Sequence, residues 1–182
     1  MAKLVSKVYG DALFETAVEK AQIDQCYEEV SALLPILTDH PDLVQLLRNP
    51  KIGKDEKITI LNQVFGGKVL PDLMGFLTII VEKDRQNDLL PIFEYFIARV
   101  KEYRKIGNVV VTSAAPLSTD QCRQLEQRLL ETTSFQTLEM DYRVDVSLVG
   151  GLVIRIGDRV ADNSIKTQLY ELKRDLSKLQ LA

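Results

Sequence analysis

The sequence predicts an α+β protein of two domains: an N-terminal six-helix bundle over residues 1–105, then a small α/β domain with a short sheet and two helices over residues 106–182. Three observations predict it. From Leu4 to Tyr103 apolar residues recur at helical spacing in blocks punctuated by proline and glycine. At Ile106-Gly107-Asn108 that period gives way to the β-branched run Val109-Val110-Val111. From Leu138 to Leu148, large apolar residues alternate with Glu139, Asp141, Arg143, Asp145 and Ser147, the period of two that puts one strand face in a core and the other in water. The change of period, rather than any linker composition, marks the domain boundary.

In order, the first helix spans Leu4 to Ala21, with Leu4, Val5, Val8, Tyr9, Ala12 and Leu13 as a broad apolar face and Phe14, Ala17, Val18 and Ala21 outside it. A helix apolar on more than one face is buried on both sides or keeps one face for a partner. Asp24 is expected to cap the second helix, carried by Ile23, Tyr27, Val30, Leu33, Leu34 and Leu37, which Pro35 should kink or shorten. Pro41 opens a short third helix that Asn49-Pro50 ends. Gly53 starts a fourth, with Gly66-Gly67 as its stop. Pro71 begins the fifth, whose inward stripe is Leu70, Leu73, Met74, Leu77, Ile80 and Val81. Phe76 and Ile79 fall outside that stripe and are expected to be exposed unless another helix covers them. The sixth runs from about Asp88 to Lys105 on Leu89, Phe93, Phe96, Ile97, Val100 and Tyr103.

In the second domain, Ser118 and Gln121 form a capping box for a helix through Cys122, Leu125 and Leu129. The alternation from Leu138 stops at Gly150-Gly151 and restarts in Leu152, Ile154 and Ile156, before Gly157-Asp158-Arg159 signals a turn. This reads as two strands joined through the glycines, which suits a tight hairpin, a bulge, or a close approach by another backbone. Asp162-Asn163-Ser164 caps the last helix, where Ile165, Leu169, Leu172, Leu176 and Leu179 make a narrow seam for the sheet or for a partner helix.

Composition excludes several function classes. Lys plus Arg number 23 against 26 Asp plus Glu, and neither half is basic, so nucleic acid is not an expected partner. No apolar run approaches the roughly 20 residues that cross a bilayer, and the N-terminal stretch lacks the pattern of a signal peptide, so a soluble chain without membrane insertion is expected. Cys26 and Cys122 are far apart and His40 is the single histidine, which offers no metal cluster and no cofactor motif. No nucleophile–base pair or carboxylate pair stands out. Asp141 and Asp145 with Arg143 between them read as the solvated side of a strand, and Asp158 and Asp162 as turn and cap. The reading is a non-catalytic binding protein. The alternative, a small nucleotide- or metabolite-binding enzyme using the Gly150-Gly151 turn, meets the objection that a phosphate loop opens a helix and continues to Lys-Ser/Thr, whereas Leu-Val-Ile follows here.

The stretch V-D-V-S-L-V-G-G-L-V-I-R-I-G-D-R-V-A-D-N-S-I-K-T-Q-L, residues 144–169, closely resembles the signature of the delta subunit of F-type ATP synthase, the relative of the mitochondrial oligomycin-sensitivity-conferring protein. Y-G-D-A-L-F-E-T-A from Tyr9, L-L-R-N-P-K-I followed by E-K-I-T-I-L, and V-T-S-A-A-P-L from Val111 are similar to that family's opening helix, middle and second-domain strand. Gly150, Gly151, Asp158 and Asp162 carry the signature turn. Two departures are Asp162-Asn163 where Asp-Gly is common, with Asn163 expected to take the left-handed conformation, and Gly10 where alanine is common.

The resemblance implies a stator subunit, one copy per complex, with no cofactor and no catalysis of its own, that resists rotational torque during proton-driven ATP synthesis. Its helical domain would grip the N-terminal helix of an alpha subunit in a groove between the first and fifth helices. Tyr9, Leu13, Phe76, Ile79, Ile80 and Lys83 are the expected groove residues. Its C-terminal domain would join the b subunits of the peripheral stalk, with Leu172, Leu176 and Leu179 as the expected contact. The location implied is peripheral, on the cytoplasmic face of a bacterial cell membrane or on a thylakoid.

Overall fold

The computed structural model describes the backbone of residues 2–179 and the side chains of residues 4–174 and 176. The chain divides into two units, Met1–Lys101 and Glu102–Ala182.

In the first unit, proline and glycine set the helix ends. The helices are α1 (Ala2–Glu19), α2 (Ile23–Asp39), α3 (Pro41–Arg48), α4 (Lys54–Phe65), α5 (Pro71–Glu82) and, after a 3-10 turn at Gln86–Asp88, α6 (Leu89–Tyr103). Pro41 and Pro71 occupy first-turn positions, where no amide donor is needed, and Gly53 and Gly66 flank α4. One expectation fails here and one is narrowed. Asp24 lies in the first turn of α2, where its charge suits the helix dipole, while Gln22 holds the cap position without a side-chain bond. Pro35 does not shorten α2, which continues to Asp39.

The core is organised on α6. Ile92, Phe93, Phe96 and Val100 are sealed from solvent and pack with Val30, Leu47, Leu61, Leu73, Ile80 and Val81 from four other helices. Tyr103, expected in the inward stripe, is exposed. α1 meets α6 with small residues. A Cβ at Gly10 would stand 2.4 Å from the Tyr95 ring, and Asp11 accepts the Tyr95 hydroxyl at 3.0 Å. This close approach turns α1 so that Ser6, Gly10, Leu13 and Ala17 are buried.

The second unit is a four-stranded sheet in the order β2-β1-β3-β4, built from β1 (Ile106–Ser113), β2 (Thr137–Val144), β3 (Leu152–Ile156) and β4 (Arg159–Asp162), with α7 (Thr119–Thr132) and α8 (Ile165–Leu179). β1 runs parallel to β2 and antiparallel to β3. Of the readings open for the glycines, the hairpin is therefore not formed, because β1 lies between the two strands. Nor does β2 reach Leu148: it ends at Val144, and a 3-10 turn at Val146–Leu148 follows. β4, unforeseen in the sequence, pairs with β3 around the turn at Gly157-Asp158. One sheet face carries Val109, Val111, Leu138, Met140, Ile154 and Ile156 in a small core that α7 joins through Leu125 and Leu129. The capping box of α7 is present, with Ser118 and Gln121 each accepting the other's backbone N–H. The opposite face is polar, and Arg143 pairs with Asp141 there at 2.7 Å.

Asp162 ends β4 and organises the start of α8. It accepts the Ser164 N–H at 2.8 Å and the Thr167 hydroxyl at 2.8 Å, while the Ser164 hydroxyl accepts the Thr167 N–H at 3.2 Å. The bonds from Ser164 foremost, then Thr167 and the charge of Lys166, hold its carboxyl below the ordinary value of 3.8; the hydrogen bonds from Ser147 do the same for Asp145. A carboxyl whose folded pKa is depressed contributes stability that is complete above its unfolded pKa and is lost as pH falls through the folded value. The thermal stability of the second unit should therefore fall on acidification below pH ~4, and Asp162→Asn should flatten that dependence.

Candidate functional site

α5 runs beside α1. The last turn of α1 meets the first turn of α5, where Lys20 bonds Asp72 at 2.5 Å. Leu13, Thr16 and Ala17 face Leu70, Asp72 and Leu73 there across a cavity of about 10 Å³. The 3-10 turn that follows α5 also touches α1. The two helices are therefore neighbours, with the start of one at the end of the other.

Each keeps an apolar row for solvent. On α1 that row is Leu4, Val8 and Ala12, spaced at four residues so that they line up along one side; Leu4 is 68% and Val8 59% exposed. Glu15 and Glu19 continue the same line and are exposed. On α5 the row is Gly75 and Ile79, with Ile79 46% exposed and open space where a Cβ at Gly75 would be. Lys83 follows at the C-cap, also exposed.

The expected groove residues divide between surface and floor. Ile79 and Lys83 are exposed and Tyr9 is half-buried, whereas Leu13, Phe76 and Ile80 belong to the core. Phe76 corrects the expectation of an exposed ring: it is 8% exposed. Phe76 and Ile79 lie about 60° apart around the helix axis, enough for one to be covered while the other is not. Leu4, Val8 and Ala12 were assigned to a single apolar face with Leu13, and the structure separates them. The signal that could have found them is the row of small residues Ser6, Gly10 and Ala17, which marks the close-packed side.

Beneath this surface the Cys26 thiol sits where α1, α2 and α5 meet. Burial above all, with the carboxylates of Glu29 and Asp72, pushes its pKa up to about 12, so it is an inert packing group. Cys122 is also a free thiol. Among the described residues no group of three or more His, Cys, Asp or Glu gathers to hold a metal ion.

The glycine turn is filled by the chain itself. Gly151 takes φ +77°, and a Cβ there would lie 2.2 Å from the Asn163 carbonyl oxygen; at Gly150 it would meet the end of the Ile165 side chain. Asn163 does not take the left-handed conformation expected of it; the positive φ lies at Val149, +66°. Gly151 is thus a point of close backbone approach, the third of the readings the sequence left open, and Asp158 lies in the β3–β4 turn while Asp162 anchors α8. The seam of α8 is open: Ile165, Leu169, Leu172 and Leu176 are all exposed, whereas the Leu179 side chain lies outside the described residues. No helix among the described residues is long and apolar enough to cross a membrane.

Comparison with known proteins identifies the family and the fold. The family model described as ATP synthase delta (OSCP) subunit matches residues 5–176. ATP synthase subunit delta of Lachnoclostridium phytofermentans is 45% identical over 181 residues, covering 100% of both chains. That of Brevibacillus brevis is 35% identical over 169 residues, 93% of this chain and 96% of its own. A chain of the Toxoplasma gondii mitochondrial ATP synthase hexamer, solved by cryo-electron microscopy, has the same fold, with a TM-score of 0.66 over 94% of this chain and 96% of its own at 23% identity.

Proposed function

The chain belongs to the ATP synthase delta (OSCP) subunit family, a non-catalytic subunit, and from that premise we propose that it is the stator link between the catalytic head and the peripheral stalk. The observation that carries this reading is the pair of exposed apolar rows on adjacent helices, Leu4, Val8 and Ala12 on α1 and Ile79 on α5. The occupant is the amphipathic N-terminal helix of an alpha subunit, laid with its apolar face on both rows. Leu13, Phe76 and Ile80 then form the floor, Tyr9 and Ile79 the walls, and Lys83 a rim contact. The exposed seam of α8, at Leu172 and Leu176, takes the b subunits.

A stator joint must hold while each catalytic step loads it. It needs slow dissociation, and buried apolar area with a few well-seated anchors supplies that better than surface charge pairs do. The subunit then works as a peripheral component on the cytoplasmic face of the membrane, held there by its partners.

The test is to titrate the full chain with a peptide copy of the alpha-subunit N-terminus from the same organism, measuring heat and helicity together. Saturable one-to-one binding with a gain of helix is the expected result. Absence of binding to the folded chain would overturn the reading of α1 and α5. A phosphate-binding enzyme is not supported, since Asn163 and Ile165 occupy the space over the paired glycines.

A further inference from the structure

We propose that Glu29 of α2 and Lys54 of α4 are positioning residues for the helix-binding surface: each holds one end of α5, and together they fix where Ile79 stands relative to α1. The proposal rests on the α1–α5 reading above and deepens it.

α5 does not cap itself. Its N-cap is Leu70, whose side chain accepts no hydrogen bond, and Pro71 follows with no amide hydrogen to offer. The Leu70 N–H instead donates to Glu29 Oε2 at 2.7 Å, across from α2, in a partly buried setting. Gln25 Nε2 donates to the other oxygen, Oε1, at 3.2 Å and orients the carboxylate. At the far end no basic residue lies in the last turn of α5. Lys54 Nζ reaches across from α4 and donates to the Glu82 carbonyl at 2.7 Å and to Asp84 Oδ2 at 2.5 Å. An anion at the N-terminus and a cation at the C-terminus are the signs that the helix dipole favours; α5 has Asp72 in its own first turn and Lys83 at its C-cap, and Glu29 and Lys54 add to them from neighbouring helices with hydrogen bonds to the backbone at each end.

This matters because the outer row of α5 has nothing over it to set its place. Gly75 and Ile79 face solvent, so the lateral position of the row is fixed by the buried side of the helix and by its ends. A surface that must fit a rigid partner helix along several turns loses affinity when one wall moves by a fraction of an ångström. Charge-assisted hydrogen bonds at both termini hold the helix along its axis, which apolar packing alone leaves softer.

The experiment compares peptide binding by the full chain with binding by Glu29→Ala, Glu29→Gln and Lys54→Met, at a temperature where all are folded, with affinity and dissociation rate both read. Glu29→Ala and Lys54→Met should each weaken binding by about fivefold to thirtyfold, chiefly through faster dissociation. Glu29→Gln keeps an acceptor for the Leu70 N–H and should recover most of the loss. Val30→Ala is the control: it removes a fully buried side chain next to Glu29 and lowers stability without touching an end of α5. Loss of affinity in Val30→Ala equal to that in Glu29→Ala, or unchanged binding by Glu29→Ala and Lys54→Met, would overturn the proposal. If the unsubstituted chain fails to bind the peptide, the α1–α5 reading itself falls, and the two failures are told apart by that one measurement.

Discussion

Gly151→Ala is expected to unfold the second unit while the helical unit stays folded. Two costs coincide at this position. The backbone sits at φ +77°, where a Cβ meets the carbonyl that follows, at about 1–2 kcal/mol. The added carbon would also lie 2.2 Å from the Asn163 oxygen and 3.1 Å from the Asn163 carbonyl carbon and the Ser164 Cα. Those are backbone atoms and cannot rotate away. They can only be moved by pulling the start of α8 off the turn, which breaks the bond from the Ile165 N–H to the Gly150 carbonyl at 3.0 Å. The combined cost is on the order of 3–5 kcal/mol, comparable to the whole stability of a small unit. Gly150→Ala is the internal comparison: its Cβ would press on the Ile165 Cδ1, the end of a side chain that can change rotamer, so a milder loss is expected. Amide exchange on the full chain reads both, with β1 and β3 losing protection in Gly151→Ala and α6 retaining it. Equal effects of the two substitutions would mean that the close approach is not what the glycine is for.

Much of this architecture was legible because its signals are local. Pro41, Gly53, Gly66 and Pro71 stand at the helix ends they announce, and the Ser118–Gln121 box is read within one turn of chain. What could not be read was set by distant partners. The alternation at Leu138 gives the strand and its faces, but nothing in it says that β1 inserts between β2 and β3, since strand order depends on a pairing made some thirty residues earlier in the chain. The inward face of α1 was misjudged for a related reason. Counting large apolar residues selects Leu4, Val5, Val8 and Tyr9, yet the side that packs closest to α6 is the one with Gly10, because the Tyr95 ring leaves no room for a Cβ there. Close packing selects small residues and leaves some large ones outside. Those left outside, Leu4 and Val8, form the exposed apolar row of α1.

Ile79→Asp is expected to separate binding from stability in the other unit. Ile79 is about half exposed, so a carboxylate there keeps much of its hydration and the fold should lose little. In the docked complex the same carboxylate would be stripped of water against an apolar helix face, with only Lys83 one turn on at the rim to pair with it, and the apolar contact would be lost as well. Truncating a central anchor costs at least ~2 kcal/mol, and desolvating a carboxylate adds to that, so the peptide affinity should fall by about thirtyfold to a hundredfold. Phe76→Asp makes the contrast, because that ring is in the core and the substitution should unfold the bundle, which would make any loss of binding uninformative. Asp141→Lys, on the polar face of the sheet, exchanges one partner of an exposed ion pair and should change neither the bundle's stability nor its peptide binding. The decisive comparison is therefore Ile79→Asp against Asp141→Lys, with peptide affinity and thermal midpoint measured on the same samples. A large loss of affinity in the first alone, at an unchanged midpoint, supports the row on α5 as the wall of the docking surface. Equal affinities would remove Ile79 from the site and leave α1 as the surface to be mapped, beginning at Val8.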